Sequence, residues 1–98
     1  MGEEELRAVA ERLLDRTRER LARKDIEFCI MPEALEELSR LGYDPIYGAR
    51  PLRRVLRQRV EEPLAELLIS ETIGPGDRVQ ACIREGRICL EKVDEAMV

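Results

Sequence analysis

Apolar and polar positions along this 98-residue chain follow two periods, and the changes of period divide it into elements. From about Glu3 to Arg23, Leu6, Val9, Ala10, Leu13, Leu14 and Leu21 recur every three or four positions among charged residues. That spacing predicts an amphipathic helix with one buried stripe. The period drops to two over Asp25 to Met31. Ile26, Phe28 and Ile30 fall on one face and Glu27, Cys29 and Met31 on the other, as in a short, half-buried strand. Pro32 then begins a second helix, with Glu33 in its first turn, Ala34, Leu35, Leu38 and Leu41 on its buried face and Gly42 as its C-terminal cap. A Met31-Pro32 start leaves that helix without the usual Ser, Thr or Asp cap.

After a loop, Tyr43 to Gly48, a third helix runs from Pro51 with Leu52, Val55, Leu56, Val60, Leu64, Leu67 and Leu68 at three- and four-residue spacings. Pro63 falls inside it. Proline removes a backbone donor and crowds the preceding turn, so a kink is expected there, and the apolar phase continues across it. Gly74-Pro75-Gly76-Asp77 marks a turn, after which Arg78 to Arg84 and Arg87 to Val93 read as strands joined by the two-residue loop Glu85-Gly86. In that register Ile83 faces Ile88 on the buried side and Cys82 faces Cys89 on the opposite side. The chain reads as frayed from about Asp94. The order helix, strand, helix, helix, strand, strand predicts an α+β fold, three helices (the third kinked near Pro63) layered on a small three-stranded sheet. Length allows one domain, residues 1–98, with an ordered core over about 5–93.

Composition narrows the function. Hydrophobic residues make up 44% of the chain but aromatics only 3%, so the core must be aliphatic. A net charge of -4 disfavours nucleic acid as a general partner, although Arg50, Arg53, Arg54, Arg57 and Arg59 crowd into ten residues. No apolar run approaches the ~20 residues of a membrane helix, and no signal-peptide pattern opens the chain, so no membrane partner is expected. Three cysteines, Cys29, Cys82 and Cys89, lack zinc spacing and there is no histidine, so no metal site is expected. Their odd number fits reduced thiols in a cytoplasmic protein, incidental to function. Met1-Gly2 ahead of Glu3-Glu4-Glu5 reads as the start of a fragment.

No set of residues suits an enzyme acting alone: histidine, a G-x-x-x-x-G-K-[ST] loop and a G-x-S-x-G elbow are all missing. What stands out is Gly42-Tyr43-Asp44-Pro45-Ile46-Tyr47-Gly48-Ala49-Arg50-Pro51-Leu52-Arg53-Arg54. Gly48 permits backbone conformations closed to other residues, Pro51 suits a helix start, and Tyr43 and Tyr47 are expected to pack their rings and stiffen the loop. Arg50 is thereby aimed rather than mobile, and a guanidinium so placed can hold a phosphate as a planar fork. Helical spacing sets Arg50, Arg53, Arg54 and Arg57 largely along one side, with Arg59 elsewhere. That side is a solvated face paired with glutamates, a phosphate site, or a charged contact with another subunit.

The Gly42–Pro45 and Tyr47–Arg54 stretches closely resemble the sensor-2 region of the Clp-family AAA+ unfoldases, the ClpA, ClpB and ClpC group. Leu21-Ala22-Arg23-Lys24-Asp25-Ile26, Val60-Glu61-Glu62-Pro63-Leu64-Ala65 and Gly76-Asp77-Arg78-Val79 extend the resemblance over roughly residues 5 to 93. It is to the C-terminal small domain after the second ATPase module. The resemblance implies that Arg50 is the sensor-2 arginine and that Gly48 and Ala49 approach the nucleotide by backbone and small side chain; Arg53 and Arg54 match the pattern without an assigned role. The cofactor it implies is ATP, with Mg supplied by the large domain. The implied partners are that large domain, neighbouring subunits of a hexameric ring and, through the full-length protein, a Clp peptidase. On this reading the fragment has no ATPase activity by itself but couples nucleotide state to domain angle and ring contacts during ATP-driven protein unfolding. The choice between a ClpB-like disaggregase and a ClpA- or ClpC-like peptidase partner stays open. The alternative is a stand-alone adaptor or protein-interaction module without nucleotide.

Overall fold

The computed structural model of the chain describes residues 2–93, and the end read as frayed from Asp94 lies outside them. The first apolar stripe folds as α1 (Glu3–Ala22). Leu6, Ala10, Leu14 and Leu21 are buried, with Val9 and Leu13 packed at the core's edge. The stripe has one member of another chemistry: Thr17, buried between Leu14 and Leu21. Its Oγ1 accepts a hydrogen bond from Arg20 Nη2 at 3.4 Å, so the hydroxyl is not orphaned. Asp25, expected to open the strand, instead adopts left-handed backbone at φ 60°. The amides of Lys24 and Ile26 there both bond the carbonyl of Leu21. The turn satisfies acceptors at the helix end, and Asp tolerates it better than most residues. The strand is therefore the shorter β1 (Glu27–Ile30), with Phe28 on the core side.

Pro32 opens α2 (Pro32–Leu41) with no side-chain cap, as its sequence predicts. The Met31 carbonyl accepts from Ala34 and Leu35, both at 3.0 Å. Gly42 caps the helix, yet at φ -85° it does not use glycine's left-handed freedom. Its smallness is what matters. A Cβ at Gly42 would stand 2.5 Å from Leu52 Cδ1 and 2.9 Å from Leu52 Cα. The end of α2 thus rests directly on the start of the third helix.

That third helix consists of α3 (Leu52–Leu56), a π turn (Arg57–Glu61) and α4 (Glu62–Ile69) in unbroken succession. Glu62 donates its N–H to the carbonyl of Arg57, five residues back. In a regular α-helix the Pro63 ring would crowd the Arg59 carbonyl. The expected interruption at Pro63 therefore takes the form of a widened turn just ahead of it. Leu52, Leu56, Val60 and Leu64, each four apart, are all buried. A helix of about 3.6 residues per turn would rotate that row off the core, and the π turn offsets the drift.

Beyond α4, Glu71 takes φ 60° and the chain doubles back to bury Ile73, a core residue outside any periodic run. The strands β2 (Arg78–Arg84) and β3 (Arg87–Val93) have the expected limits. The sheet order is β1-β2-β3, parallel between β1 and β2 and antiparallel between β2 and β3. Glu85 and Gly86 both have positive φ, the twist-matched conformation of a two-residue hairpin loop. Ile83 pairs with Ile88 and Cys82 with Cys89, as predicted. The two isoleucines pack against the core, but Cys82, on the opposite face, is the more buried residue. Glu91 covers it: Cys82 Sγ lies 3.1 Å from Glu91 Oε1, which Arg84 Nη2 also bonds at 2.9 Å. Burial first, then this hydrogen bond, pushes the Cys82 thiol up to about 11. All three cysteines are free.

Candidate functional site

The loop between α2 and α3 is organised by its own backbone. Asp44 N–H donates to the Gly48 carbonyl at 2.8 Å, and Gly48 N–H to the Asp44 carbonyl at 2.7 Å. Asp44 also folds its side chain forward, Oδ1 accepting from the amides of Ile46 at 2.7 Å and Tyr47 at 3.0 Å. Five residues are thus closed into a small ring by four hydrogen bonds, an arrangement Asp favours at turns. The sequence signal for the organising role of Asp44 is the pair Asp44-Pro45. The tyrosine rings do not stiffen the loop by packing inward. Tyr43 and Tyr47 are 45% and 58% exposed, because the backbone ring already fixes the turn and leaves its tip in solvent with Ile46.

The three expected contact residues follow one another from the last member of this ring, Gly48, to Arg50. Gly48 has φ +64°, and a Cβ built on it would meet nothing within 4 Å. Its glycine identity therefore answers to backbone conformation, and the space beside it is open. Its N–H is already bonded to Asp44, so that donor is not available to a ligand. Ala49 turns its methyl against the core, and its amide has no hydrogen-bond partner among the described residues. Arg50 is exposed, with no ion pair among the described residues. Its Cζ stands 5.3 Å from the centroid of the Tyr47 ring, a cation–π contact that steadies the guanidinium while leaving its donors free. Pro51 precedes the first helical residue, and its carbonyl accepts from Val55 at 3.0 Å.

Arg53, Arg54 and Arg57 ride the third helix, and Arg50 lies in the turn before it. Arg53 and Arg57 line a cleft of about 590 Å³ against α1, together with Arg16, Arg20 and Arg23. Arg50 and Arg54 are not part of its lining. Arg50 lies in the turn before the helix, where helical spacing no longer sets direction, and Arg54 is one residue round the helix from Arg53. Arg59 lies near Glu37, whose carboxyl is held below the usual range mainly by its hydrogen bond from Arg40. Among the described residues no group of three or more Cys, Asp or Glu could hold a metal ion, and no helix is long and apolar enough to cross a membrane.

The family model of the C-terminal D2-small domain of ClpB protein matches residues 1–81. The chaperone protein ClpB of Vibrio cholerae is 38% identical over 88 residues, which is 90% of this chain and 10% of that protein. That of Helicobacter hepaticus is 41% identical over 70 residues, 71% of this chain and 8% of its own. That of Propionibacterium freudenreichii is 35% identical over the full 98 residues, 11% of its own length. The chain spans about a tenth of the length of these curated relatives. The relatives named here are ClpB chaperones, and the chain belongs to the family of C-terminal D2-small domains of ClpB proteins.

Proposed function

We propose that this domain serves an ATP-dependent protein-unfolding chaperone by presenting Arg50 to the phosphate end of ATP held on the large ATPase domain of the same subunit. One observation carries the reading: Arg50 is exposed and has no ion pair among the described residues, yet is steadied by the Tyr47 ring at the end of a loop closed by four hydrogen bonds. The local chemistry fits a triphosphate. Gly48 leaves open space beside the backbone, Ala49 offers an amide with no partner among the described residues, and a guanidinium forms charge-assisted bonds to phosphate oxygens. Bound ATP, with Mg on the large domain, would supply a γ-phosphate that is present before hydrolysis and absent after it. An arginine that binds only one of these states has the differential affinity needed to bias the angle between two domains. Rigidity matters to that role: a mobile arginine would follow the phosphate, whereas a fixed one moves the domain with it.

In the full-length protein the angle change would pass to neighbouring subunits of a hexameric ring. The fragment by itself would have no ATPase activity. A cytoplasmic chaperone working without a peptidase is the form of this proposal that the ClpB family membership favours. The test is Arg50→Ala in the full-length chaperone, measuring ATP-driven unfolding, beside the melting temperature of the 98-residue chain. Loss of unfolding with an unchanged melting temperature supports the reading. Unchanged ATPase and unfolding would overturn it and leave the domain as an interaction module without nucleotide.

A further inference from the structure

Among the described residues two polar side chains are buried, Thr17 and Ser39, and they use their hydroxyl protons differently. Ser39 Oγ donates to the carbonyl of Leu35, four residues back, at 2.9 Å, the ordinary outlet for a hydroxyl within a helix. Thr17 makes no such bond. Its Oγ1 accepts from Arg20 Nη2 at 3.4 Å, so the oxygen is partnered. The proton is not: it has no acceptor among the described residues, on a side chain only 4% exposed. A buried donor left in that state carries a desolvation cost that an acceptor from outside would remove. Thr17 and Arg20 both line the cleft of about 590 Å³ between α1 and the third helix, so Oγ1 meets Arg20 on the cleft side.

The cleft surrounds that donor with others. Arg16, Arg20 and Arg23 line it from α1, and Arg53 and Arg57 from the third helix. Five guanidiniums against two carboxylates, Glu19 and Glu61, leave a surplus of three positive charges in a chain of net charge -4. Arg16, Arg23, Arg53 and Arg57 have no ion pair among the described residues. Arg20 bonds Glu61 Oε1 at 3.1 Å through the same Nη2 that reaches Thr17, so its Nη1 and Nε have no partner among the described residues. That bond neutralises Glu61 and holds Arg20 beside the hydroxyl before any ligand arrives, which lowers the cost of binding. Planar guanidinium forks together with a hydroxyl donor suit phosphate oxygens. The cleft holds many times the ~30 Å³ share of one water, and arginines stand on both its walls, which calls for linked phosphates rather than one. Nucleic acid fits less well, because no aromatic side chain lines the cleft to stack a base. We infer that this cleft binds a free multivalent phosphate anion, a short inorganic polyphosphate. Thr17 and Arg20 receive it, with Arg53 and Arg57 on the wall opposite Arg16 and Arg23. Arg50 is not part of the cleft, so the inference goes beyond the nucleotide reading and does not depend on it.

The experiment titrates the 98-residue chain with tripolyphosphate at fixed ionic strength, followed by amide chemical shifts. Sulfate, a doubly phosphorylated serine peptide and a single-stranded oligonucleotide are the comparison probes. Tripolyphosphate is expected to give saturable shifts at Thr17, Arg20, Arg53 and Arg57, and to bind more tightly than any of the three. Arg53→Gln with Arg57→Gln should weaken it roughly tenfold or more, whereas Arg87→Gln, the same kind of change on the hairpin, should not. Thr17→Val keeps the shape of the side chain and removes its donor, and should weaken binding roughly threefold or more. Thr17→Ser should restore it. Should the double Gln variant fail to fold, Arg53→Lys with Arg57→Lys replaces it, with a smaller loss expected. Unchanged affinity in the double variant or in Thr17→Val would overturn the inference, as would sulfate binding as tightly as tripolyphosphate. Shifts centred on Arg50 and Tyr47 would overturn it and assign the anion to the nucleotide contact. Tighter binding of the phosphopeptide or the oligonucleotide would overturn the assignment to a free anion.

Discussion

Gly48 and Gly86 each complete a tight turn with left-handed backbone, and the two turns put their neighbouring arginines to opposite uses. At the hairpin, Arg84 is drawn back onto the sheet, where Glu91 binds it and both lie over Cys82. At the α2–α3 loop, Asp44 spends its carboxylate on backbone amides, and the arginine two residues past Gly48 has no ion pair among the described residues and lies beside the Tyr47 ring. The same backbone device thus produces a closed structural corner in one place and a displayed charge in the other. What separates them is that a carboxylate binds Arg84 and none of the described residues' carboxylates binds Arg50. A turn is suited to function here because its own hydrogen bonds hold its shape without using the side chain it displays.

The loop depends on its foundation more than on its tip. Leu52→Ala, removing a fully buried side chain that seats Gly42, should cost about 2–5 kcal/mol in chemical denaturation. Its neighbour Gly42→Ala forces a methyl toward the Leu52 backbone and should cost about 1–3 kcal/mol by overpacking. If Gly42→Ala proved neutral, the close contact between α2 and α3 would not be what positions the loop.

Gly48→Ala and Gly86→Ala test the comparison directly. Each places a side chain at positive φ and should cost about 1–2 kcal/mol by denaturant titration. Only the first should alter Arg50, seen as a change in the amide and guanidinium resonances of Arg50 and Tyr47. Asp44→Ala removes the acceptor of two loop amides and should cost about 1 kcal/mol. It should also broaden the Arg50 resonances, whereas Glu91→Gln should leave them untouched.

The hairpin has its own signature in pH. The folded state favours the protonated thiol of Cys82, whose pKa is raised from 9.0 to about 11, first by burial and then by Glu91. Its contribution to stability is complete below pH 9 and is lost as pH rises toward 11. The melting temperature of the wild-type chain should therefore fall more steeply over that interval than that of Cys82→Ala. Below pH 9, thiol reagents should label Cys82 last of the three cysteines, as expected for a buried thiol kept protonated.

Much of this fold was legible in the residues. The hairpin register followed from Glu85-Gly86 and the alternation around it, since a two-residue loop leaves one pairing. Elements ended elsewhere than expected where the reason lay in backbone geometry: Asp25 left the strand to close a helix end, and Pro63 widened the turn before it. Thr17 and Ile73 escaped the core because one is polar and the other stands outside any period. At the site, Gly48, Ala49 and Arg50 were identifiable as a motif, but the cleft beside α1 was not. Spacing along one helix cannot show that Arg53 and Arg57 meet Arg16, Arg20 and Arg23 from α1, because that depends on how the two helices pack.

The central claim is that Arg50 acts outward, on nucleotide, and contributes little to its own domain. ATP-driven protein unfolding by the full-length chaperone carrying Arg50→Ala tests this most directly. The account predicts a fall of roughly tenfold or more, with the melting temperature of the 98-residue chain unchanged by the same substitution. Full unfolding activity in that variant would contradict it.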